Sequence, residues 1–245
     1  MDFVGVGTVV NVTTVVLGSL LGLALGHRLP QRTSSTVTDV LGLFTLVIGA
    51  SSIMPMFGER LNQAVGHGAV MVVILLAMMA GALTGSALRV EDRLEDVGGW
   101  ARRRFGADGD SRFVNGFVTA TLVFCMGPLT ILGSLSDGLG RGADQIFVKS
   151  VLDGFASIAF AASLGIGVLA SAAGVLVIQG GITLVGFLLG DVIPPAQVDA
   201  LTVAGGIILL GLGIRLLGIK DIRVGDLLPA LVFAPLFVSV AERIA

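Results

Sequence analysis

Long apolar stretches alternate with short polar separators along this chain. The stretches at 6–27 and 68–88, for example, contain no aspartate, glutamate, lysine or arginine, and a helix of about 20 such residues crosses a hydrocarbon core. The residue-by-residue alternation of an outer-membrane barrel is absent, so these segments must satisfy their backbone groups as helices. The pattern predicts an all-α integral membrane protein with seven to eight transmembrane helices, at 6–27, 37–57, 68–88, 113–135, 147–168, 172–190, 201–219 and 227–243.

Two of these segments have an irregular pattern. Within 154–190 the only strongly polar side chain is Gln179, and one straight helix of that length would be nearly twice as long as the membrane core is thick. We therefore expect the chain to fold back near 170–174. The last segment, 227–243, is short and contains two prolines, which leaves open both a full crossing and a kinked or re-entrant segment.

The composition excludes a water-soluble protein. Hydrophobic residues make up 54% of the chain and charged residues 13%, whereas about a quarter of an ordinary soluble domain is charged. Too little sequence remains outside the predicted helices for a separate soluble domain, so residues 1–245 are expected to form one polytopic membrane domain. A single cysteine cannot form an intramolecular disulfide or a thiolate cluster, and the sequence implies no cofactor.

Basic residues indicate the orientation of the chain. With eight spans and the N-terminus outside, eleven of the fifteen lysine and arginine residues lie in cytoplasmic segments, at 28–32, 89–112 and 215–223. This excess on one side is the asymmetry that the positive-inside rule describes. The opposite orientation is therefore disfavoured.

The cytoplasmic loop at about 89–112 is amphipathic. Its apolar residues recur at helical intervals with charges between them, as in a helix that lies on a membrane surface. Its cluster of Arg102, Arg103 and Arg104 is expected to face anionic lipid headgroups. A solvated connector whose arginines only enforce the topology fits the same pattern.

The chain contains an internal repeat. A shift of 164 residues aligns GSLLGLALGHRLP, which begins at Gly18, with ITLVGFLLGDVIP, which begins at Ile182. In the eight-span arrangement the copies are helices one and two and helices six and seven. The second copy begins five spans after the first, and because five is odd, the two copies cross the membrane in opposite directions. The alignment therefore predicts an inverted-topology repeat. Such repeats underlie many secondary transporters, although a duplication kept only for packing is an alternative.

Three glycine pairs, each spaced four residues apart, lie near the ends of predicted helices. Small residues at this spacing share one helical face and let a second backbone approach closely. We interpret them as helix-packing positions: Gly22 and Gly26, Gly81 and Gly85, and Gly186 and Gly190.

Residues 121–138, TLVFCMGPLTILGSLSDG, interrupt a predicted helix with Gly127 and Pro128. Proline has no backbone N–H and so leaves the carbonyl of Phe124 without its helical partner. In a membrane that carbonyl needs a partner from a neighbouring helix, a water or a ligand. The break therefore predicts either a substrate-lining segment, which would include Cys125 and Ser134, or a kink satisfied by local hydroxyl groups.

The fifth predicted helix carries the deepest charged residues. The four-residue spacing of Lys149, Asp153 and Ser157 places them on one face, and Asp137, at the end of the preceding helix, is expected nearby. Because ionisable groups inside a membrane are energetically unfavourable, they indicate a paired functional site. The alternative is a surface pair of little value, in which the lysine draws the aspartate to headgroup level.

Neutral polar residues lie at intramembrane depth in both copies of the repeat, with Asn11 in helix one and Gln179 in helix six. Their side chains can bridge helices or supply neutral oxygens to an ion or a polar solute. The enzymatic motifs H-E-x-x-H, G-x-S-x-G and the Walker loop are missing, and no histidine near Cys125 would activate it. The sequence thus predicts neither an enzyme nor a metal site, and no nucleic-acid partner.

Several segments resemble those of a known family. They are GHRLP after helix one, RVEDRLEDVGGW after helix three, FVNGFVTATLVFCMGPLTILGSLSDGL, KSVLDGFASIAFAASLGIGV, QGGITL and GIKDIRVGDLLPALVFAP. Together they span nearly the whole chain and resemble the bacterial inner-membrane family catalogued as domain of unknown function 554. The resemblance implies a multi-pass protein of the bacterial plasma membrane, but it supplies no activity and no functional residues.

These observations lead to two hypotheses of different classes. The first is a transporter or channel-like protein for a small solute or ion, in which Asn11, Asp153 and Gln179 line a site together with the break at 127–128. The second is a non-transporting scaffold or regulator that acts through the basic loop at 89–112. The lipid bilayer is an expected partner under both hypotheses, and a homo-oligomer is compatible with either.

Overall fold

The computed structural model describes residues 3–26, 31–66, 68–93, 96, 100, 103, 112–125, 128–140, 142–189 and 194–244. All regular secondary structure within these residues is helical. The main helices in chain order are α1 Val6–Gly26, α2 Gln31–Ser52, α3 Glu59–Val65, α4 Val70–Leu88, α5 Phe113–Cys125, α6 Pro128–Gly138, α7 Asp144–Leu164, α8 Gly167–Leu189, α9 Pro195–Leu216 and α10 Ala230–Glu242. Short 3₁₀ turns, Met54–Phe57 and Val224–Leu227, precede α3 and α10.

Seven segments of the described chain are long and apolar enough to cross a membrane. They include the last one, Val224–Glu242, which joins the second 3₁₀ turn to α10. The pair α5 and α6 makes an eighth span if it is counted as one, with a bend of 72° between its axes. The prediction of an all-α protein with seven to eight transmembrane helices is therefore confirmed.

Large apolar side chains are exposed to an extent that is unusual for a soluble protein. Large apolar side chains such as Leu83, Phe155 and Val177 are exposed along the spans, whereas Asn11 and Gln179 are buried. Apolar surface on this scale is stable against lipid rather than water. The chain is therefore a membrane protein.

The fold-back predicted within residues 154–190 occurs, but its predicted place, 170–174, is wrong. The chain turns at Gly165, which ends α7 with a φ of 84°. Glycine adopts this left-handed conformation without the steric cost of a Cβ, and its amide still donates to the carbonyl of Ala161 at 3.0 Å. The stretch contains several glycines in an apolar setting, so the pattern of hydrophobic residues does not distinguish among them.

The internal repeat is also present in the residues at which the helices begin and end. Shifting α2 by the same 164 residues places it on α9 at both ends. Both helices begin earlier than the predicted 37 and 201, because their polar first turns read as loop in the sequence. The opposite membrane crossing of the two copies stays a prediction.

The chain divides into two compact units. Residues 1–43 and 95–191 form unit 1, and residues 44–94 and 192–245 form unit 2. Unit 1 contains α1, the start of α2, and α5 to α8, whereas unit 2 contains the rest of α2 with α3, α4, α9 and α10. Unit 2 has an apolar core that includes Leu61, Ile74, Val203 and Val238, whereas the interior of unit 1 contains a chain of polar side chains.

The glycine pairs lie at close helix contacts. In unit 1, Gly22 and Gly26 lie against backbone carbonyls of α7, and Gly186 lies against the end of α6. In unit 2, Gly81 lies against the start of α10, and Gly85 against the 3₁₀ turn that precedes it. A Cβ at any of these positions would collide with the neighbouring backbone, so only glycine permits the approach.

Candidate functional site

Asn11 lies where α1 meets α7 and α8 in unit 1. Its Nδ2 donates to Oδ2 of Asp153 in α7 at 3.0 Å and to Oε1 of Gln179 in α8 at 2.8 Å. Asn11 and Gln179 are both 0% exposed. The structure thus brings together three polar residues that the sequence singled out, although Asp153 and Gln179 lie 142 and 168 positions from Asn11.

The close approach of α1 to α7 explains how Asn11 reaches Asp153. Gly7 packs against Ile146 before Asn11, and Gly18 packs against Gly154 after it. Because glycines lie at the helix contact on both sides of Asn11, its short side chain bridges the helices at hydrogen-bond distance. The contacts advance in the same direction along both helices, so α1 and α7 run parallel, as spans one and five of an eight-span chain do.

Asp153 also forms an ion pair with Lys149, which lies one turn earlier in α7. The lysine ammonium and the Asn11 amide both contact Oδ2 of Asp153. Lys149 is 4% exposed and Asp153 is 8% exposed, so the pair is enclosed within unit 1. The buried charges meet the condition of being paired and hydrogen-bonded, and the depth of the pair in the membrane stays a prediction.

Two threonines extend this network. Nε2 of Gln179 donates to Oγ1 of Thr8 at 3.3 Å, and the hydroxyl oxygens of Thr8 and Thr183 are also 3.3 Å apart. Sequence reasoning did not single out Thr8. Thr8 lies three residues before Asn11, so helical spacing was the signal that could have identified it. Thr183, four residues after Gln179, belongs to the polar patch that the sequence shows in helix six.

One polar atom of the network has no partner. Oδ1 of Asn11 is buried and forms no hydrogen bond within the described part of the chain. The orientation of the amide follows from its neighbours, because the carboxylate of Asp153 is an acceptor and must face Nδ2. A buried acceptor without a partner is unfavourable by about 1–3 kcal/mol. Oδ1 of Asn11 is therefore available to a donor or a cation.

The threonine end of the network meets a groove on unit 1. The groove has a volume of about 430 Å³, and apolar side chains from the beginning of α1 and from α8 form most of its lining. Thr8 and Thr183 also line it. Hydrogen bonds therefore connect the groove, through these hydroxyls and Gln179, to Asn11.

Asp137 lies at the beginning of α1. Its Oδ1 accepts from the amide of Gly5 at 3.0 Å and its Oδ2 from the amide of Gly7 at 3.1 Å. The first amides of a helix lack intrahelical partners, and the helix dipole favours a negative charge there. Its hydrogen bonds thus give Asp137 a capping role at α1.

The helix break between α5 and α6 is satisfied locally. The hydroxyl of Thr130 donates to the carbonyl of Phe124 at 2.8 Å, which is the carbonyl that Pro128 deprives of a helical partner. Of the two alternatives drawn from the sequence, this bond favours a kink satisfied by a local hydroxyl. Cys125 ends α5 as a buried free thiol.

The two serines of the candidate pathway form no hydrogen bond with the network around Asn11 within the described part of the chain. Ser157 donates to the carbonyl of Gly154 at 2.8 Å, within α7 itself, which is a common way to satisfy a hydroxyl in a helix. Ser134 is buried, and its hydroxyl has no hydrogen-bond partner among the described residues.

Arg103 is exposed. The remaining predicted positions lie outside the described residues: Gly127, Gly190, Arg102 and Arg104.

Unit 2 contains a buried acid that sequence reasoning missed. Oε1 of Glu91 pairs with Nη1 of Arg215 at 2.5 Å, and its Oε2 accepts from the amide of Gly225 at 2.5 Å. The amide of Glu91 donates to Oδ1 of Asp226 at 3.0 Å. We call these four residues the Glu91 clasp, because they join the segment after α4 and the end of α9 to the turn before α10. In the sequence, such charges at span ends look like topology determinants.

Comparison with known proteins agrees with the membrane fold. The model of the family described as "Protein of unknown function (DUF554)" matches residues 6–239. The uncharacterized protein YqgA of Escherichia coli (strain K12) is 29% identical over 233 residues, with 94% of each chain covered. The uncharacterized membrane protein YdfK of Bacillus subtilis (strain 168) is 25% identical over 234 residues, with 96% of each chain covered. No solved structure matches the chain significantly. Because the family match covers nearly the whole chain, this protein belongs to the DUF554 family.

Proposed function

We propose that this protein is a multi-pass membrane transporter or channel-like protein for a small solute or ion. The observation that carries the proposal is the buried Lys149–Asp153 pair, held by Asn11 from a second span. Enclosing two charges in membrane-spanning helices is energetically unfavourable, and such groups mark ion and substrate pathways in membrane proteins. Apolar residues of similar volume would serve packing at least as well.

The polar network supports a route to this pair. Thr8 and Thr183 line the groove, and hydrogen bonds continue from them through Gln179 to Asn11. Hydroxyl and amide groups at this position can replace part of the hydration shell of a polar solute. As a solute moves along the network, these hydroxyl and amide groups replace its hydrating water molecules before it reaches Asp153.

The proposal also covers the membrane in which the protein lies and whether it catalyses a reaction. Both similar proteins come from bacteria, and the spans of this chain expose apolar side chains, so we place the protein in the bacterial plasma membrane with lipid around it. Translocation needs no covalent step. We therefore propose that the cluster binds and passes its solute and that the protein is not an enzyme.

Flux measurements on reconstituted protein test the proposal. Liposomes with purified protein should accumulate or release at least one member of a panel of Na⁺, K⁺, H⁺, chloride, amino acids and organic anions. Asp153→Asn should lower that flux by about tenfold or more, because a charged hydrogen-bonded group is lost. Asp144→Asn is the matched control, since Asp144 is an exposed acid in the first turn of the same helix, and its flux should equal that of the wild type.

A double variant separates function from folding. Lys149→Met with Asp153→Leu removes both charges at once and so leaves no buried charge without a partner. It should fold and carry no flux. Flux of the double variant at the wild-type rate contradicts the proposal, as does the absence of flux from folded wild-type protein for the whole panel. The scaffold hypothesis predicts the opposite ranking in cells, with loss of function on replacement of Arg102 to Arg104 and none at Asp153.

A further inference from the structure

We infer that the site at Asn11 and Asp153 takes a monovalent cation, which displaces the ammonium group of Lys149. The inference rests on the proposed function, because it names the charge class of the transported species. It follows from the charge of the cluster, from the atom that lacks a partner and from the position of the lysine.

The charge of the cluster matches one positive charge. Asp153 contributes one negative charge and Lys149 balances it, whereas Asn11, Gln179 and Thr8 are neutral. The other buried acid nearby, Asp137, is compensated by the amides of Gly5 and Gly7 at the start of α1,. When the ammonium leaves, the single negative charge of Asp153 therefore remains to be compensated. A monovalent cation restores neutrality, whereas a divalent cation leaves a net buried charge, which is strongly unfavourable.

The unsatisfied atom of the cluster also favours a cation. Oδ1 of Asn11 is an acceptor, and the Lys149 ammonium does not reach it, since this oxygen has no partner among the described residues. A free cation can contact the Asp153 carboxylate and Oδ1 of Asn11 together, with hydroxyl oxygens such as that of Thr8 nearby in the network. Carboxylate, carbonyl and hydroxyl oxygens are the groups that bind hard cations and ammonium groups. An anion would face the carboxylate and this unpaired oxygen, which repel it.

Lys149 can leave without a change in the backbone. Its ammonium is a point charge on a flexible four-carbon chain, and its partner lies one turn away on the same helix. Lysine side chains in membrane helices extend toward the nearer polar boundary. Lys149 lies close to the start of α7, which begins at the exposed Asp144. A displaced ammonium group can therefore reach a polar region.

Cation titration of the purified full-length protein in detergent tests the inference. The probes are NaCl, KCl and methylammonium chloride at constant ionic strength, with N-methyl-D-glucamine chloride as the balancing salt, and calorimetry gives Kd. At least one probe should bind the wild type. Lys149→Gln should lower its Kd by about tenfold or more, because the competing internal cation is gone and every molecule is competent to bind.

A matched pair of variants in α1 tests the unpaired oxygen. Asn11→Leu should raise the Kd of the bound cation by about tenfold, since an oxygen that contacts a charged ligand is lost. Ser19→Ala is the control, because the Ser19 hydroxyl is also buried in α1 without a hydrogen-bond partner in the described chain, and its Kd should equal that of the wild type. If Lys149→Gln does not fold, this pair decides the inference.

The outcomes distinguish this inference from the proposed function. Weaker binding by folded Lys149→Gln, or no binding of any of the three probes to the wild type, overturns the inference. Flux of chloride or an organic anion that depends on Asp153 also overturns it and leaves the transport proposal standing. Cation binding that tightens in Lys149→Gln, in protein that carries no flux, supports the inference and contradicts the transport proposal.

Discussion

Two buried acids, Glu91 in unit 2 and Asp153 in unit 1, have different surroundings. Both carboxylate oxygens of Glu91 have partners, and its Arg215 partner is 26% exposed at the edge of the unit. The contacts of Asp153 with Lys149 and Asn11 meet at one oxygen, and Oδ1 of Asn11 has no partner among the residues that the structure describes. A fully satisfied pair holds chain segments together, whereas an incompletely satisfied one leaves a position for a ligand.

The partners also differ in their freedom to move. One partner of Glu91 is the backbone amide of Gly225, which the fold holds in place. Asp153 is contacted by the side chains of Asn11 and Lys149, which can rotate without a change in the helices. The fixed partners of Glu91 agree with a stabilising role of the clasp, and the movable partners of Asp153 agree with the binding role proposed for its cluster.

The largest expected effect is on the Glu91 clasp. Glu91→Ala should lower the free energy of unfolding by about 3–5 kcal/mol, because the Gly225 amide loses its acceptor and Arg215 keeps only the exposed carboxylate of Asp221 as a partner,. Denaturation by SDS in mixed micelles measures this change. Asp92→Ala is the control, since the Asp92–Arg223 pair is exposed and should contribute about 0–1 kcal/mol. Equal effects of the two variants would contradict the structural role of the clasp.

A double-mutant cycle in unit 1 tests whether the Lys149–Asp153 pair also serves stability. Lys149→Met should destabilise the protein by about 3 kcal/mol, since it leaves the Asp153 charge buried without a counter-charge. The double variant with Asp153→Leu should return to within about 1 kcal/mol of the wild type, because two apolar residues replace the whole pair. The same micelle titration measures all variants. A double variant as unstable as the single one would make the pair a structural element like the clasp.

The glycine contact between α1 and α7 should have an intermediate effect on the free energy of unfolding. Gly22→Ala should cost about 1–3 kcal/mol, because its Cβ would meet the carbonyl of Ile158 and move α1 away from α7,. Gly181→Ala should be neutral or stabilise by about 0.5–1 kcal/mol, since open space surrounds that helical glycine,. Unfolding titrations of the pair measure the difference. A Gly22→Ala protein of wild-type stability would show that the two helices are not in close contact.

The smallest expected effect concerns the helix break. Thr130→Val should cost about 1–2 kcal/mol, because the buried carbonyl of Phe124 loses its partner,. Ser134→Ala should change stability by less, since the Ser134 hydroxyl forms no hydrogen bond among the described residues. Unfolding in mixed micelles again measures both. If Thr130→Val matches the wild type, another group must satisfy the Phe124 carbonyl.

The number and class of the spans could be predicted from the sequence, and the exact turn within 154–190 could not. Span length depends on the thickness of the bilayer, and a local run of apolar residues reveals it. The position of the turn depends on which glycine adopts a positive φ, and packing selects Gly165 among several candidates. The early start of α2 at Gln31 was missed for a related reason, because polar first turns carry no apolar signal.

The candidate site shows the same division. Asn11, Asp153 and Gln179 stand out in the sequence because polar side chains in apolar helices are rare. The bonds of Asn11 to Asp153 and Gln179 join residues that lie far apart in the chain, so no local pattern reports them. The role of Asp137 could not be predicted for the same reason, because its capping of α1 depends on the contact between α6 and α1.

Bilayer thickness and backbone chemistry act locally, so the membrane class, the spans, the break at Pro128 and the few polar residues of the apolar helices can be predicted from the sequence. Which polar groups meet depends on the tertiary structure. It pairs the hydroxyl of Thr130 with the carbonyl of Phe124 and, within the described part of the chain, leaves Oδ1 of Asn11 without a partner. Hydrogen bonds require distances near 3 Å between groups, and the packing of glycine-lined helices, rather than any one helix, sets those distances.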